Sequence, residues 1–99
     1  MAKVYYTQKA FEDLAEIYFF TFYRWSEAQA NKYYYFLINS CEFLATNHHV
    51  GRKYVDVGDD LLAFLAKKHI IFYKYLGNDA VKIIRILGAE MDLPQHLKK

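Results

Sequence analysis

HIIFYKYLGNDAVKIIRIL, residues 69–87, decides the fold. Two runs rich in β-branched and aromatic residues, His69 to Leu76 and Ala80 to Leu87, flank Gly77-Asn78-Asp79, which is turn chemistry at hairpin length. A parallel return would need a crossover of roughly a dozen residues, so the two runs predict an antiparallel pair. Upstream, Leu61 to Ala66 is a third apolar run, separated from His69 only by Lys67-Lys68, and predicts a third antiparallel strand. Before it, residues 47–60 hold Gly51, Gly58, His48, His49 and three aspartates without any period, and read as a loop with a short strand at Tyr54-Val55.

The first half of the chain carries a different period. Val4-Tyr5-Tyr6 suits an opening strand, after which the Thr7 hydroxyl can cap a helix. Phe11, Leu14, Ile17, Tyr18, Thr21 and Trp25 recur at spacings of three and four and predict one buried face. Ser26, with Gln29 three residues on, opens a second helix as a capping box would. Its period runs through Ala30, Tyr33, Tyr34, Leu37, Cys41 and Leu44 to about Thr46. The tail from Met91, broken by Pro94, has room for a short helical turn. The expected architecture is α+β, in the order β-α-α-β-β-β. A helical hairpin packs on one face of a small, mostly antiparallel sheet, and residues 1–99 make one domain.

Composition excludes whole classes. The chain of 99 residues is 55% hydrophobic with a formal charge of +2, which disfavours disorder. Its apolar runs fall far short of the roughly 20 residues of a spanning helix. The first fifty residues carry four basic and five acidic side chains and the remainder nine and six, far from a strong nucleic-acid footprint. The lone Cys41 cannot form an internal disulfide, and no basic-then-apolar leader precedes the first strand signal; both predict a reduced, cytoplasmic setting. Cys41 itself reads as a small core residue rather than a nucleophile. Tyr33-Tyr34-Tyr35-Phe36 and the ring-rich stretch from Tyr18 to Trp25 exceed what one buried helical stripe accepts. Some of those rings should stay exposed, and such patches mark partner surfaces.

The search for chemistry leaves few candidates. His48 and His49 are adjacent and cannot share a face, and His69 and His96 complete no metal-ligand spacing, so neither a metal nor a cofactor is expected. No phosphate-cradling Gly loop and no nucleophile motif occurs. A basic set remains on or beside the sheet: Arg52, Lys67, Lys68, Lys74, Lys82 and Arg85. Strict alternation places Arg85 on the face of Val81, Ile83 and Leu87. A guanidinium there needs either an internal carboxylate, such as Asp56 or Asp92, or an anionic group on another molecule.

Taken in order, these residues resemble the toxins of the RelE/ParE superfamily. The resemblance starts at Thr7-x-x-Ala10-x-x-Asp13-Leu14-x-x-Ile17 and continues through Trp25-Ser26, Gln29-Ala30, Tyr33, Leu37, Leu44-Ala45 and Gly51-Arg52. It ends with His69-x-Ile71-Phe72-Tyr73, Ile84-Arg85-Ile86-Leu87, Met91-Asp92 and His96-Leu97. The Arg-Ile-Leu run followed by Met-Asp is more similar to the ParE branch than to the RelE branch. That resemblance implies a bacterial type II toxin that poisons DNA gyrase, needs no cofactor, and is neutralised in a hetero-oligomeric complex by a ParD-like antitoxin. It implies target contacts at Arg52, Arg85, Met91, Asp92 and His96. For the antitoxin, whose segment would lie in the groove formed by the helical hairpin and the sheet edge, the anchors expected are Tyr18, Phe22, Trp25 and Tyr34.

The alternative is a RelE-like, metal-independent endoribonuclease that cuts messenger RNA on the ribosome, with Arg52 and Arg85 as cations and His96 as the acid or base. Against it, no tyrosine follows Tyr75, and the segment Gly88-Ala89-Glu90-Met91-Asp92 is acidic where a phosphate binder would be basic. Two positions depart from the ParE pattern: Gly88 stands where a His often follows Arg-Ile-Leu, and His48-His49 stand where a proline is common.

Overall fold

In the computed structural model, which describes residues 2–54 and 61–89, the chain runs β1 (Lys3–Tyr6), α1 (Gln8–Arg24), α2 (Glu27–Thr46), a 3-10 turn (His48–Val50), β2 (Arg52–Lys53), β3 (Leu62–Ala66), β4 (His69–Gly77) and β5 (Ala80–Gly88). The strands form one sheet in the order β1-β5-β4-β3-β2. Every neighbouring pair is antiparallel except β1, which lies parallel to β5 with Lys3 opposite Ala80 and Tyr6 opposite Ile83. This is the predicted α+β order with one strand more. The short strand falls at Arg52–Lys53, two residues before Tyr54-Val55, because Leu62 and Ala63 offer pairing partners there. Tyr54 donates its N–H to the Leu61 carbonyl at 2.8 Å. Val55 and the tail predicted from Met91 lie outside the described residues.

Local chemistry sets the element ends. The Thr7 hydroxyl accepts the Ala10 N–H at 3.0 Å, and the Ser26 hydroxyl accepts that of Gln29 at 3.1 Å, so both predicted caps are in place. In the β4–β5 turn, Asn78 (φ 54°) and Asp79 (φ 58°) are both left-handed, which a two-residue turn matched to strand twist requires and which Asn and Asp tolerate. No helix among the described residues is long and apolar enough to cross a membrane.

Both helices pack on one face of the sheet. Leu14 of α1 and Leu37, Cys41, Leu44 and Ala45 of α2 meet Ile71, Tyr73, Val81, Ile83 and Ile86. The opposite face carries a second, smaller cluster of Leu61, Phe72 and Leu87. The predicted face of α1 needs correction at its ends. Phe11 and Trp25 are exposed, while Ala10, Asp13 and Leu14 are the buried residues, because α1 leans on β5 along its first turns only.

Strict alternation also fails in β5. Tyr73 pairs with Ile83 but Phe72 pairs with Arg85, which leaves Ile84 as an extra residue. That bulge reverses the phase, so Ile86 joins Val81 and Ile83 under the helices while Leu87 passes to the opposite face. Directly opposed residues share a face, so Arg85 emerges beside Phe72, away from Val81 and Ile83.

Gly51 is fixed by a close approach. A Cβ there would fall within 2.7 Å of the Tyr73 ring carbon that bears the hydroxyl. The Tyr73 hydroxyl in turn donates to the His48 carbonyl at 2.7 Å, tying the loop after α2 to the centre of the sheet. Tyr73 is fully buried and cannot swing aside. Gly51→Ala is therefore expected to cost about 1–3 kcal/mol, read as a lower urea midpoint with an unchanged slope.

Candidate functional site

The rings of the helical hairpin form two surfaces. Tyr18, Phe22 and Tyr34 make a half-buried cluster, with Tyr18 6.2 Å from Phe22 and 6.1 Å edge-on from Tyr34. The Tyr18 hydroxyl donates to Asn31 Oδ1 at 2.9 Å, locking α1 to α2. Outside this cluster Phe19 and Tyr23, one helical turn apart, stack at 6.3 Å, with Tyr23 80% exposed. Trp25 does not join them. At the C-cap of α1 it lies 66% exposed in a groove of about 990 Å³ between α1, α2 and the Lys67-Lys68 turn. Three of the four anchor residues expected from the sequence are thus together, and the fourth is on a different surface.

Arg85 has an internal partner, supplied by neither Asp56 nor Asp92, both of which lie outside the described residues. Its Nε donates to Asp13 Oδ2 at 2.8 Å and its Nη2 to Asp13 Oδ1 at 3.0 Å, a bidentate fork. The same Asp13 Oδ2 accepts the Ile86 N–H at 2.9 Å. Asp13 is 6% exposed, and its hydrogen bonds raise the guanidinium's affinity for its proton above the ordinary range. A sequence signal for this partner existed. Asp13 falls in the stripe Ala10, Asp13, Leu14, Ile17, the one acid on the apolar side of α1.

Arg52 and Arg85 lie on one cross-strand row. Arg52 pairs with Ala63, Ala63 with Phe72 and Phe72 with Arg85. They consequently share a sheet face but stand three strand spacings apart, roughly 14 Å. Met91, Asp92 and His96 lie outside the described residues.

One pair has no counterpart in the sequence reading. Tyr33 of α2 and His69 at the start of β4 meet at 2.7 Å through the phenol oxygen and Nδ1. Burial lowers the His69 pKa from 6.5, with a smaller opposing pull from Asp13, and burial likewise raises that of Tyr33. Both shifts favour the neutral forms, a pairing in which the more acidic phenol donates to Nδ1 and the imidazole carries its hydrogen on Nε2. Cys41 is fully buried, its thiol pushed up to about 12 by burial, and is a core residue.

A family described as the ParE toxin of the type II toxin–antitoxin system parDE matches residues 4–93. Two curated relatives, each named Toxin ParE1, come from Mycobacterium tuberculosis strains CDC 1551 / Oshkosh and ATCC 25618 / H37Rv. Each is 29% identical over 84 residues, spanning 85% of this chain and 86% of the relative. A solved structure of the chromosomal ParDE system from P. aeruginosa superposes with a TM-score of 0.75 at 19% identity, over 91% of this chain and 98% of that one, which establishes the shared fold.

Two outcomes follow from the geometry of the site. Asp13→Ala removes both bonds to the guanidinium and the one to the Ile86 N–H, and is expected to lower stability by about 3 kcal/mol in urea denaturation. For His69, the folded pKa lies below the unfolded value of 6.5. Stability is therefore full above that pH, falls as pH drops through it, and levels off below the folded pKa. His69→Asn keeps an acceptor near Nδ1 without a titrating proton, so its unfolding midpoint should decline less between pH 7 and pH 5 than that of the native chain.

Proposed function

Because the chain belongs to the ParE toxin family of type II toxin–antitoxin systems, we propose that it acts in the bacterial cytoplasm as an inhibitor of DNA gyrase, held inactive by a ParD-like antitoxin. The observation that carries this reading is the surplus of exposed rings on the helical hairpin. Phe19, Phe20, Tyr23, Trp25 and Tyr35 all stand more than half exposed on a small domain, which is the composition of a surface made to be covered. Tyr18, Phe22 and Tyr34 support them as a packed base, and Trp25 extends the surface round the end of α1.

The target contacts in this reading are Arg52 and Arg85 on one sheet face, with Met91, Asp92 and His96. A non-enzymatic mode fits the chemistry of Arg85. A guanidinium whose charge is already paired with both oxygens of Asp13 stabilises a developing phosphorane less strongly than an unpaired one, and Arg52 stands three strands away from it in the sheet. Binding to a protein surface makes no such demand.

The test runs a supercoiling assay with purified gyrase beside cleavage of messenger RNA on programmed ribosomes. The expected outcome is loss of supercoiling with trapped cleaved DNA, intact RNA, and activity that His96→Ala weakens no more than the loss of one contact among several. Cut RNA with normal supercoiling, abolished by His96→Ala, would overturn the gyrase reading and make the chain a nuclease.

A further inference from the structure

Charge is sorted between the two layers of the fold. The strands carry Lys3, Arg52, Lys53, Lys74, Lys82 and Arg85 and no carboxylate. Among the described residues, Glu12, Asp13, Glu16, Glu27 and Glu42 lie on the two helices, and Asp79 lies in the β4–β5 turn. A formal charge of +2 for the chain conceals this separation. Directly opposed residues share a face, so the register fixes which side each strand cation takes. Lys82 lies between Tyr5 of β1 and Lys74 of β4, and Lys3 lies opposite Ala80. Lys82 alternates with Val81 and Ile83, which are buried under the helices, so its row stands on the outer face of the sheet. Arg52 stands on the same face, in the row of Ala63 and Phe72. All four of Lys3, Arg52, Lys74 and Lys82 are exposed, and among the described residues none of them takes part in an ion pair.

Lys74 opposite Lys82 is a costly arrangement. Like charges placed directly across two strands repel, and a threonine at either place would remove the repulsion. Two ammonium groups held together without a carboxylate suit an anion that both can reach. The rest of the face says which polyanion. A single strand needs a series of exposed rings for its bases. Here Tyr5 is half exposed in the lysine row, while Tyr54 is turned edge-on to Phe72 at 5.3 Å. Protein interfaces favour aromatic residues and disfavour lysine, and the exposed rings Phe19, Phe20, Tyr23, Trp25 and Tyr35 belong to the helices on the other side. A duplex keeps its bases stacked inside and presents a dense row of phosphates, which lysines meet as point charges. From this charge complementarity, and resting on the reading of the chain as a gyrase inhibitor, we infer that the outer face of the sheet binds the phosphate backbone of the duplex DNA that gyrase holds. Lys3, Arg52, Lys74 and Lys82 supply the contacts.

Fluorescence anisotropy of a short fluorescein-labelled DNA duplex, titrated with the purified chain, tests the face directly. Four phosphate contacts predict a slope of about −3 to −4 for log affinity against log salt concentration, reduced by about 1 for each lysine removed. Lys74→Thr should weaken duplex binding by about threefold to tenfold and raise the thermal midpoint by about 2–4 °C, since it removes contact and repulsion together. Lys9→Gln lowers the net charge equally but from α1, and should leave the duplex affinity within about twofold of the native chain. Equal losses from Lys9→Gln and Lys74→Thr would overturn the inference. So would binding of polyglutamate or of a single-stranded RNA as tight as that of the duplex. In the supercoiling assay, Lys74→Thr with Lys82→Thr should raise the concentration needed for inhibition by about tenfold. Unchanged inhibition by that double variant would sink the DNA contact and leave the gyrase reading intact. Duplex binding by a chain that leaves supercoiling untouched would remove the gyrase reading and keep the phosphate-binding face.

Discussion

The structure depends on how one open strand edge is closed. β1 ends at Tyr6, so β5 beyond Ile83 has lost its neighbour while its backbone still needs partners. The residues that follow β1 supply them. The Thr7 N–H reaches the Ile83 carbonyl at 3.0 Å, the Thr7 hydroxyl the Ile84 carbonyl at 2.7 Å, and the Asp13 carboxylate the Ile86 N–H at 2.9 Å. Three groups from the start of α1 thus continue the ladder that β1 began. Thr7 is also the cap of α1, so one hydroxyl fixes where the helix starts and where it sits on the sheet. The bulge at Ile84 belongs to the same arrangement, since it turns Arg85 out of the core face and leaves its guanidinium within reach of Asp13.

With α1 pinned at its first turns, the remainder of that helix is free to serve a surface. Only Ala10, Asp13 and Leu14 of α1 are buried, whereas α2 is seated along its whole length by Ala30, Leu37, Cys41, Leu44 and Ala45. The rings of α1 past Ile17 accordingly rest on α2 and on each other rather than on the sheet. Pair contacts such as Tyr18 with Tyr34 keep them ordered without burying them. A domain of this size would gain more from a second apolar stripe facing the sheet; an outward display of aromatic area makes sense where a partner protein covers it.

Much of this was legible in the residues. The hairpin turn, both helix caps, the α2 face and the order of elements follow from chemistry that acts over a few residues. Asp13 could have been found as an acid in an apolar stripe. The pairing of Tyr33 with His69 could not, because the two are 36 positions apart and neither stands out in its own element. The same holds for Gly51, whose importance lies in the buried hydroxyl of Tyr73 across the sheet.

The sequence alone therefore determined the element order, the antiparallel strands and the excess of rings, since capping, turn conformation and periodicity are local properties of the chain. Tertiary structure alone decided which carboxylate holds Arg85, which face it leaves by, and how the aromatic surface divides at Trp25. Those outcomes turn on the bulge at Ile84, the short reach of β1 and the lean of α1 on β5, and a single residue of register between strands distant in sequence changes all three.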